Sequence, residues 1–542
     1  MISRFETVVV TVLFAVMSLG LGQFMLVHYF VQAGDSAFIV DLLTRVADGH
    51  GLVSTAFNSA YSIFPIIGID AEAYCRSEFK SLFRDVSGLR WHAYLIAYPM
   101  AWLTFIPGVT ALGVVISSMV ASFMGSLLLL ALFLRRRGLP ILVVIAFLVL
   151  LFLCKPWSDA IMGQFYFDRL FLLPGIALVL CVHLRLSGEK VSFVWIIALT
   201  TVCALVTERP AVMIGCFLIG YPVLCRGLGA LRSRDCRWLM ALGVACLVYV
   251  ALYVALLQDS PYKDVLGGAA AIAALKAALL PGGTYQPQTM KLFAVLLPFF
   301  ILAALEWRLC LVAAGAILPN LLLTIGGAEK NNFFTHYHMA YLPFLVAAAT
   351  LGLLRIWSLF RPWLNADARW FSPRRVAFTG GTAAVLALMA VYSDRINTGD
   401  VSRTFVFNDP GTRALPTSLV PGLSNPLVDA WADQGRFLRE FVSDIPDNST
   451  VSTPEWLQPA LVKRRGMVFD YAPIGLGANQ YMILLYNPES GGELVLQVPS
   501  FRSGDEVNRI RACIQSRVDA YYTVMKQQEY RGGRYRIYAL KK

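Results

Sequence analysis

Residues 110–137 read TALGVVISSMVASFMGSLLLLALFLRRR, an apolar run that ends in three consecutive arginines. A helix needs about 20 apolar residues to cross the hydrocarbon core of a bilayer, which is roughly 30 Å thick. Lysine and arginine are disfavoured inside that core and enriched in cytoplasmic loops. This stretch therefore predicts a transmembrane helix whose carboxyl end faces the cytoplasm.

The whole chain has the composition of a polytopic membrane protein. Of its 542 residues, 57% are hydrophobic and 15% are charged, whereas about 25% are charged in ordinary soluble domains. Apolar runs predict about eleven spans, several of them short. They are Thr7–Phe30, Thr110–Leu134, Leu139–Cys154, Leu170–Arg185, Val191–Val206, Ala211–Cys225, Trp238–Leu257, Lys291–Leu305, Leu309–Ile325, Met339–Trp357 and Val376–Tyr392. The expected fold class is thus an all-α membrane bundle.

The net charge of +12 follows the predicted topology, because basic residues concentrate in every second loop. They are Arg4, Arg135–Arg137, Arg185 and Lys190, Arg226 to Arg237, and Arg355 to Arg375. An excess of lysine and arginine marks cytoplasmic loops. We therefore expect the amino terminus to be cytoplasmic and the tail to lie outside the membrane, in the periplasm if the source is a bacterium. The basic balance indicates topology and does not indicate nucleic-acid binding.

The chain divides into two predicted domains. Residues 1–396 form the transmembrane domain, which includes a large first external loop at residues 31–109. Residues 397–542 form a soluble extracytoplasmic domain, in which an amphipathic helix at 427–442 precedes short apolar runs. A hairpin is predicted around Gly532-Gly533. We expect this tail to be a small α/β domain.

Cysteine placement leaves two alternatives open. Of the ten cysteines, only Cys75 and Cys513 fall in predicted external segments. They can pair in an oxidising compartment, or they can remain two free thiols. The chain has no CxxC or HExxH spacing, so no dedicated metal site is predicted.

Polar residues that can do chemistry gather where predicted spans meet the outer face. Asp35 is the most informative, since an acid at a membrane boundary can be solvated and accept a proton from a substrate. Arg169 and Arg209 are candidates for binding phosphate, because a guanidinium group binds oxyanions at two points. Acids and cations at one boundary are what a substrate linked to a lipid phosphate requires.

The polar residues at the ends of the predicted spans also have a purely structural interpretation. Asp35 and Asp41 can be solvated boundary residues, and His92 beside Trp91 can belong to the aromatic belt of a membrane interface. Two adjacent pairs can be simple ion pairs, namely Asp168 with Arg169 and Glu208 with Arg209. His336 and His338 can be ordinary loop residues.

Several motifs, in this order, resemble an uncharacterised bacterial family of predicted membrane proteins placed near the GT-C glycosyltransferases. They are Gly34-Asp35-Ser36-Ala37-Phe38-Ile39-Val40-Asp41, Trp91-His92-Ala93-Tyr94-Leu95, Phe165-Tyr166-Phe167-Asp168-Arg169, Val206-Thr207-Glu208-Arg209-Pro210 and Thr335-His336-Tyr337-His338. The tail stretch Ile445-Pro446-Asp447-Asn448-Ser449-Thr450-Val451-Ser452 also resembles that family. The resemblance covers most of the chain.

The resemblance implies a GT-C-like transfer, with inversion of the anomeric centre, of a sugar from a polyprenyl-phosphate donor to an envelope glycan, lipid or protein. It gives the role of catalytic base to Asp35. Donor phosphate would be held by Arg169, Arg209 and Lys330. Substrate would be positioned by Asp41, His92, Asp168, Glu208, His336 and His338. No cofactor is implied with certainty, and a divalent cation is left open.

Two other classes of function compete with the enzyme. A transporter or flippase for a lipid-linked glycan would need ionisable residues along a path within the spans. The predicted spans contain almost none, which favours the enzyme. A non-catalytic assembly subunit that binds partners through its tail is the third alternative.

Overall fold

The computed structural model describes residues 4–30, 35–63, 71–77, 79–163, 165–258, 273, 276–277, 279–284, 286–322, 336–365, 372–397, 426–462, 466–487, 493–495 and 504–541. The chain forms two compact units. The first comprises residues 1–25, 90–96 and 116–427. The second comprises residues 26–89, 97–115 and 428–542.

Long apolar helices dominate the chain. The helices up to residue 256 are α1 (Arg4–Tyr29), α2 (Asp35–Ala47), α3 (Thr55–Ile63), α4 (Ala71–Arg76), α5 (Ala97–Trp102), α6 (Ala111–Arg136), α7 (Ile141–Leu153), α8 (Lys155–Met162), α9 (Leu172–Leu186), α10 (Phe193–Val206), α11 (Glu208–Arg226) and α12 (Arg234–Leu256). The later helices of the first unit are Gln286–Ala303, Trp307–Leu322, Leu342–Asn365 and Pro373–Asn397.

The predicted count of eleven spans is not confirmed. Among the described residues, eight helical segments are long and apolar enough to cross a membrane. The predicted spans Leu139–Cys154 and Val191–Val206 correspond to α7 and α10, which have 13 and 14 residues. Such helices are shorter than the roughly 17 residues that a span needs. The predicted span at residues 291–305 and most of the one at residues 309–325 fall in one apolar run, Thr289–Leu318, which is interrupted by a 3-10 turn at Ala304–Glu306. Residues 323–325 lie outside the described residues.

Glycines allow α11 and α12 to pack closely. A Cβ atom added to Gly243 would lie 2.7 Å from the carbonyl oxygen of Gly215, and one added to Gly215 would lie 2.9 Å from the Leu247 side chain. Small residues at such a contact let two helix backbones approach each other. The helix Leu342–Asn365 packs against α9 and against both Gln286–Ala303 and Trp307–Leu322.

The second unit contains a six-stranded mixed sheet. Its strands are β1 (Thr450–Thr453), β2 (Val468–Tyr471), β3 (Tyr481–Asn487), β4 (Glu493–Leu494), β5 (Tyr522–Tyr530) and β6 (Gly533–Leu540). The order is β2-β1-β3-β6-β5, with β4 beside β3. The pairs β1–β2 and β1–β3 are parallel, and β3–β6 and β5–β6 are antiparallel. The predicted small C-terminal sheet domain and its terminal hairpin are confirmed.

Helices and a hydrophobic core complete that sheet domain. Its helices are Pro426–Phe441, Gln458–Leu461 and Gly504–Tyr521. Met482 and Leu484 of β3 pack with Ile510 and Ile514 of the last helix. The first of these helices buries Phe437, Leu438 and Phe441, as its amphipathic pattern predicts.

Most of the first external loop, residues 31–89 and 97–109, belongs to the same unit as the tail, whereas the sequence placed the whole loop with the transmembrane domain. Phe79 lies in the core of the sheet domain and is 1% exposed. The α3 helix packs against β2, and the Tyr471 amide donates to Ser59 Oγ at 2.7 Å. Cys75 and Cys513 form a disulfide with a Cα–Cα distance of 5.9 Å. Of the two alternatives for these cysteines, the structure contains the paired one.

Candidate functional site

A polar cluster lies where four segments of the first unit meet. These segments are residues 90–96, the 3-10 turn Phe167–Phe171, the junction of α10 and α11, and the 3-10 turn His336–Ala340. The two 3-10 turns pack against each other, and the first also packs against α10. The Ile96 amide donates to the Leu205 carbonyl at 2.7 Å and so ties residues 90–96 to the end of α10.

The junction between α10 and α11 places an acid at the start of a helix. Thr207 has an extended backbone, with φ −160° and ψ 172°, which ends α10 and allows α11 to begin at Glu208. A carboxylate in the first turn of a helix interacts favourably with the unpaired amide groups there. Glu208 is buried despite its charge.

Glu208 holds two partners from the segment 90–96. Its Oε1 lies 2.8 Å from His92 Nδ1, and its Oε2 accepts a hydrogen bond from the Ala93 amide at 3.0 Å. Each carboxylate oxygen therefore has a polar partner, as a buried acid requires. When Nδ1 carries the proton, Nε2 of His92 is the nitrogen that can accept one. This acid–imidazole pair can position a polar group or accept its proton.

Asp168 and Arg209 complete the cluster. Asp168 is buried, and its Oδ1 accepts a hydrogen bond from Thr207 Oγ1 at 3.2 Å. Electrostatic interactions couple Asp168 to Arg209, His92 and Glu208. The guanidinium carbon of Arg209 lies 4.3 Å from the centre of the Tyr337 ring. We define the polar cluster as His92, Asp168, Glu208 and Arg209.

Arg169 has a different environment from its neighbour Asp168. It is fully buried, and its Nη1 donates to the carbonyls of Ala160 and, at 2.9 Å, Gly163. The Arg169 carbonyl accepts from Ser122 Oγ at 2.7 Å. A cation that bonds the last carbonyls of a helix stabilises its end. These contacts give Arg169 a structural role at the end of α8, and its predicted binding of phosphate stays a prediction.

The remaining predicted residues of the first unit are placed unequally. His338 is fully buried, and its Nδ1 lies 2.9 Å from the Tyr341 hydroxyl. His336 begins the 3-10 turn, but its side chain lies outside the described part of the chain. Lys330 lies outside the described residues altogether.

Asp35 and Asp41 lie on α2, in the second unit. Asp35 is the first residue of that helix, and its side chain is not among those described. Asp41 is 3% exposed, so the solvated interpretation of this residue was wrong. Its Oδ2 accepts from the Thr55 amide at 3.1 Å, which satisfies the start of α3. Burial raises the pKa of Asp41, and the Arg45 charge 3.5 Å away opposes that increase.

Sequence reasoning quoted Thr207 and Tyr337 only as parts of motifs and gave neither a role. Thr207 supplies the hydroxyl that binds Asp168, and Tyr337 supplies the ring beneath Arg209. Thr207 directly precedes Glu208, and Tyr337 lies between two predicted histidines. Their position in sequence, next to predicted site residues, was the signal that could have identified them.

Residues 72–490 match the model of a family described as predicted membrane protein, DUF2079. The chain belongs to this DUF2079 family. No curated protein matches the chain. The part that matches DUF2079 contains all four residues of the polar cluster, together with Cys75 and strands β1 to β3. Asp35 and Asp41 precede it.

Membership of DUF2079 and the eight apolar helical segments agree on a membrane protein. Among the described residues of this DUF2079 member, no group of three or more His, Cys, Asp or Glu side chains is arranged to hold a metal ion.

Proposed function

We propose that this protein is a GT-C-type glycosyltransferase that moves a sugar from a polyprenyl-phosphate donor to a cell-envelope acceptor. The observation that carries the proposal is the polar cluster itself. Two acids, an imidazole and an arginine meet at the ends of apolar helices, where ionisable groups are costly and commonly functional. The resemblance in the order of the motifs supports this class of reaction, and the cluster supplies groups suited to it.

The proposed reaction is a single displacement at the anomeric carbon. An acceptor hydroxyl loses its proton to a base and forms the new bond to the sugar, while the bond from the anomeric carbon to the phosphate oxygen breaks. Asp35 is the proposed base. Arg209 pairs with the phosphate, whose negative charge increases as it leaves. Asp168 and Glu208 orient Arg209 through their charges, and the interactions of Arg209 with both support this assignment.

His92 and Glu208 are proposed to position the donor. Their 2.8 Å contact fixes the imidazole ring and leaves Nε2 for a sugar hydroxyl. Accurate positioning of the reacting groups lowers the entropic part of the barrier. Arg169 is left out of this proposal, because its guanidinium group already bonds backbone carbonyls.

We further propose that the protein lies in a bacterial plasma membrane, with its sheet domain in the periplasm. The Cys75–Cys513 disulfide supports that location, since disulfides persist in oxidising compartments. The basic residues at the carboxyl ends of α6 and α9 support a cytoplasmic position for those ends.

The decisive test uses the purified full chain in lipid nanodiscs with a panel of radiolabelled polyprenyl-phosphate sugars. We expect the wild type to transfer or hydrolyse one donor. Asp35→Asn should bind that donor and lose at least about 100-fold in turnover, the typical contribution of a general base. Asp48→Asn is the matched control, because Asp48 is an exposed acid just after the same helix.

Full activity in Asp35→Asn would remove Asp35 from the mechanism. If the wild type binds no donor of the panel, the glycosyltransferase proposal fails. Counterflow of a lipid-linked glycan across the bilayer would then indicate the transporter, and co-purification of a partner that depends on the tail would indicate the assembly subunit.

A further inference from the structure

A cavity of about 370 Å³ opens in the first unit, among the carboxyl ends of its helices. Phe133 and Arg137 come from the end of α6 and the turn after it, and residues 183–189 come from the end of α9 and the following turn. Glu306 comes from the 3-10 turn Ala304–Glu306, and residues 351–361 come from the helix Leu342–Asn365. We call this cavity the basic pocket.

The basic pocket and the polar cluster lie at opposite ends of the same helix. Asp168 precedes α9 by a few residues, whereas His183 and Leu184 in its last turn line the pocket. With about 1.5 Å of rise per residue, the 15 residues of α9 separate the two sites by roughly 22 Å. The pocket is therefore a separate site, near the face that carries the basic loops.

Positive charge exceeds negative charge in the basic pocket. Arg137 Nη2 pairs with Glu189 Oε2 at 2.7 Å, and Arg355 Nη1 pairs with Glu306 Oε2 at 3.7 Å. Arg361 is exposed and forms no ion pair with any described residue. Three guanidinium groups thus face two carboxylates, and an anion would balance the charge.

The lining also contains apolar side chains and an indole hydrogen-bond donor. Phe133, Leu351 and Leu354 supply apolar walls. The indole Nε1 of Trp357 is buried and has no hydrogen-bond partner within the described part of the chain. Since an indole N–H can only donate, this group requires an acceptor. An amphiphile with an anionic head and an apolar body would pair with the guanidinium groups and pack against the apolar side chains.

We propose that the basic pocket binds the phosphate of an anionic phospholipid from the surrounding leaflet. Guanidinium groups bind phosphate oxygens at two points, and basic pockets between membrane helices bind anionic headgroups. Arg361 binds the phosphate directly, Arg355 adds a second positive charge, and Trp357 donates to a headgroup oxygen. This proposal does not depend on the glycosyltransferase assignment.

The test measures binding of dioleoyl-phosphatidylglycerol to the delipidated full chain in detergent by native mass spectrometry. Dioleoyl-phosphatidylcholine, which has no net charge, is the reference lipid. We expect phosphatidylglycerol to bind at least about tenfold more tightly, the factor that corresponds to 1.4 kcal/mol. Arg361→Gln should remove most of that preference, and Arg355→Gln/Arg361→Gln should abolish it.

Arg232→Gln is the matched control, since Arg232 is exposed in the turn after α11 and does not line the pocket. Its preference should stay within about twofold of the wild type. A separate arm adds inorganic phosphate. Lipid binding that withstands phosphate supports the lipid as the ligand, whereas displacement by phosphate assigns the pocket to a soluble phosphate compound instead. Equal affinity for both lipids, or an equal loss in Arg232→Gln, would overturn the proposal.

Discussion

Glu208 is the residue whose surroundings most restrict the chemistry of the polar cluster. It is buried and charged, and both of its oxygens bond to residues 92 and 93. A glutamine at this position keeps the size but removes the negative charge that orients His92 and Arg209. We expect Glu208→Gln to lower donor turnover by about 100-fold, as measured with the radiolabelled donor in nanodiscs.

Glu72→Gln is the control for that substitution, since the Glu72 side chain is 80% exposed. Its turnover should equal that of the wild type. A Glu208→Gln variant that folds normally and keeps its activity would exclude Glu208 from a role in positioning the donor.

Arg209 allows charge to be separated from geometry at the same site. Arg209→Lys keeps a positive charge but loses the planar group that stacks on Tyr337 and binds phosphate at two points. We expect an increase in the KM for the donor of about tenfold, with a smaller change in kcat. An unchanged KM in Arg209→Lys and in Arg209→Gln would show that Arg209 does not hold the donor.

Asp470 makes the sheet domain sensitive to pH. Its Oδ2 lies 2.5 Å from Arg84 Nη2 and 2.8 Å from Asn479 Nδ2, but the acid is 1% exposed. Burial raises its pKa above the ordinary value of 3.8, against the opposing Arg84 charge. Because the folded state favours the protonated acid, stability present below pH 3.8 is lost as the pH rises through the raised pKa.

We therefore expect the protection of the β2 amides against hydrogen exchange, corrected for intrinsic exchange rates, to fall in the full chain as the pH rises from 3.8 through the raised pKa of Asp470. Asp470→Asn should weaken this dependence, because an amide does not titrate. Asp85→Asn, which changes an exposed acid, should leave the dependence intact. A wild-type protein whose β2 protection rises with pH would contradict the predicted sign.

Individual helices are defined by apolar composition, but their packing depends on small residues. Gly243 of α12 leaves no room for a larger side chain, whereas a Cβ at Gly220 of α11 would meet nothing within 4 Å. We expect Gly243→Val to destabilise the protein by about 1–3 kcal/mol through overpacking. Gly220→Val is the matched control and should change the unfolding temperature much less. Thermal unfolding in detergent distinguishes them, and equal effects would contradict the proposed close contact.

The short helices α7 and α10 show that apolar runs alone do not predict which helices cross a membrane. The apolar composition of α7 and α10 correctly predicts that both are helical. Apolar composition does not predict the lengths of these helices. Pro140 directly precedes α7, and the extended backbone of Thr207 ends α10, so that each helix is shorter than the hydrocarbon core is thick. Helix formation is a local property, whereas a full crossing also depends on where the neighbouring segments turn.

At the scale of the whole molecule, the Cys75–Cys513 disulfide joins residues 438 positions apart within the second unit. We expect Cys75→Ser to destabilise that unit by about 2–5 kcal/mol, as is typical when a native disulfide is removed. Loss of amide protection in the helix Gly504–Tyr521 would report it. Cys216→Ser, at an exposed free cysteine, should have no such effect. Free thiols at both positions in protein isolated without reductant would contradict the pairing.

The first external loop shows what a linear division into domains misses. The loop contains α2 and the segment that follows α4, and both bond to residues near the other end of the chain. Arg45 Nη2 donates to the Met467 carbonyl at 2.5 Å, and Arg84 pairs with Asp470. Nothing in the spacing of these residues indicates that they meet, because pairing between distant segments depends on the completed fold.

The sequence by itself determined the membrane class, the long apolar helices, the terminal sheet domain and the acids and cations worth examining. These follow from local composition and periodicity, which fix how a segment interacts with lipid or with its own backbone. Only the tertiary structure decided that Glu208 pairs with His92, that Arg169 bonds backbone carbonyls, and that Cys75 meets Cys513. Burial and side-chain partners are set by contacts between distant segments, and a single sequence does not encode them in any local pattern.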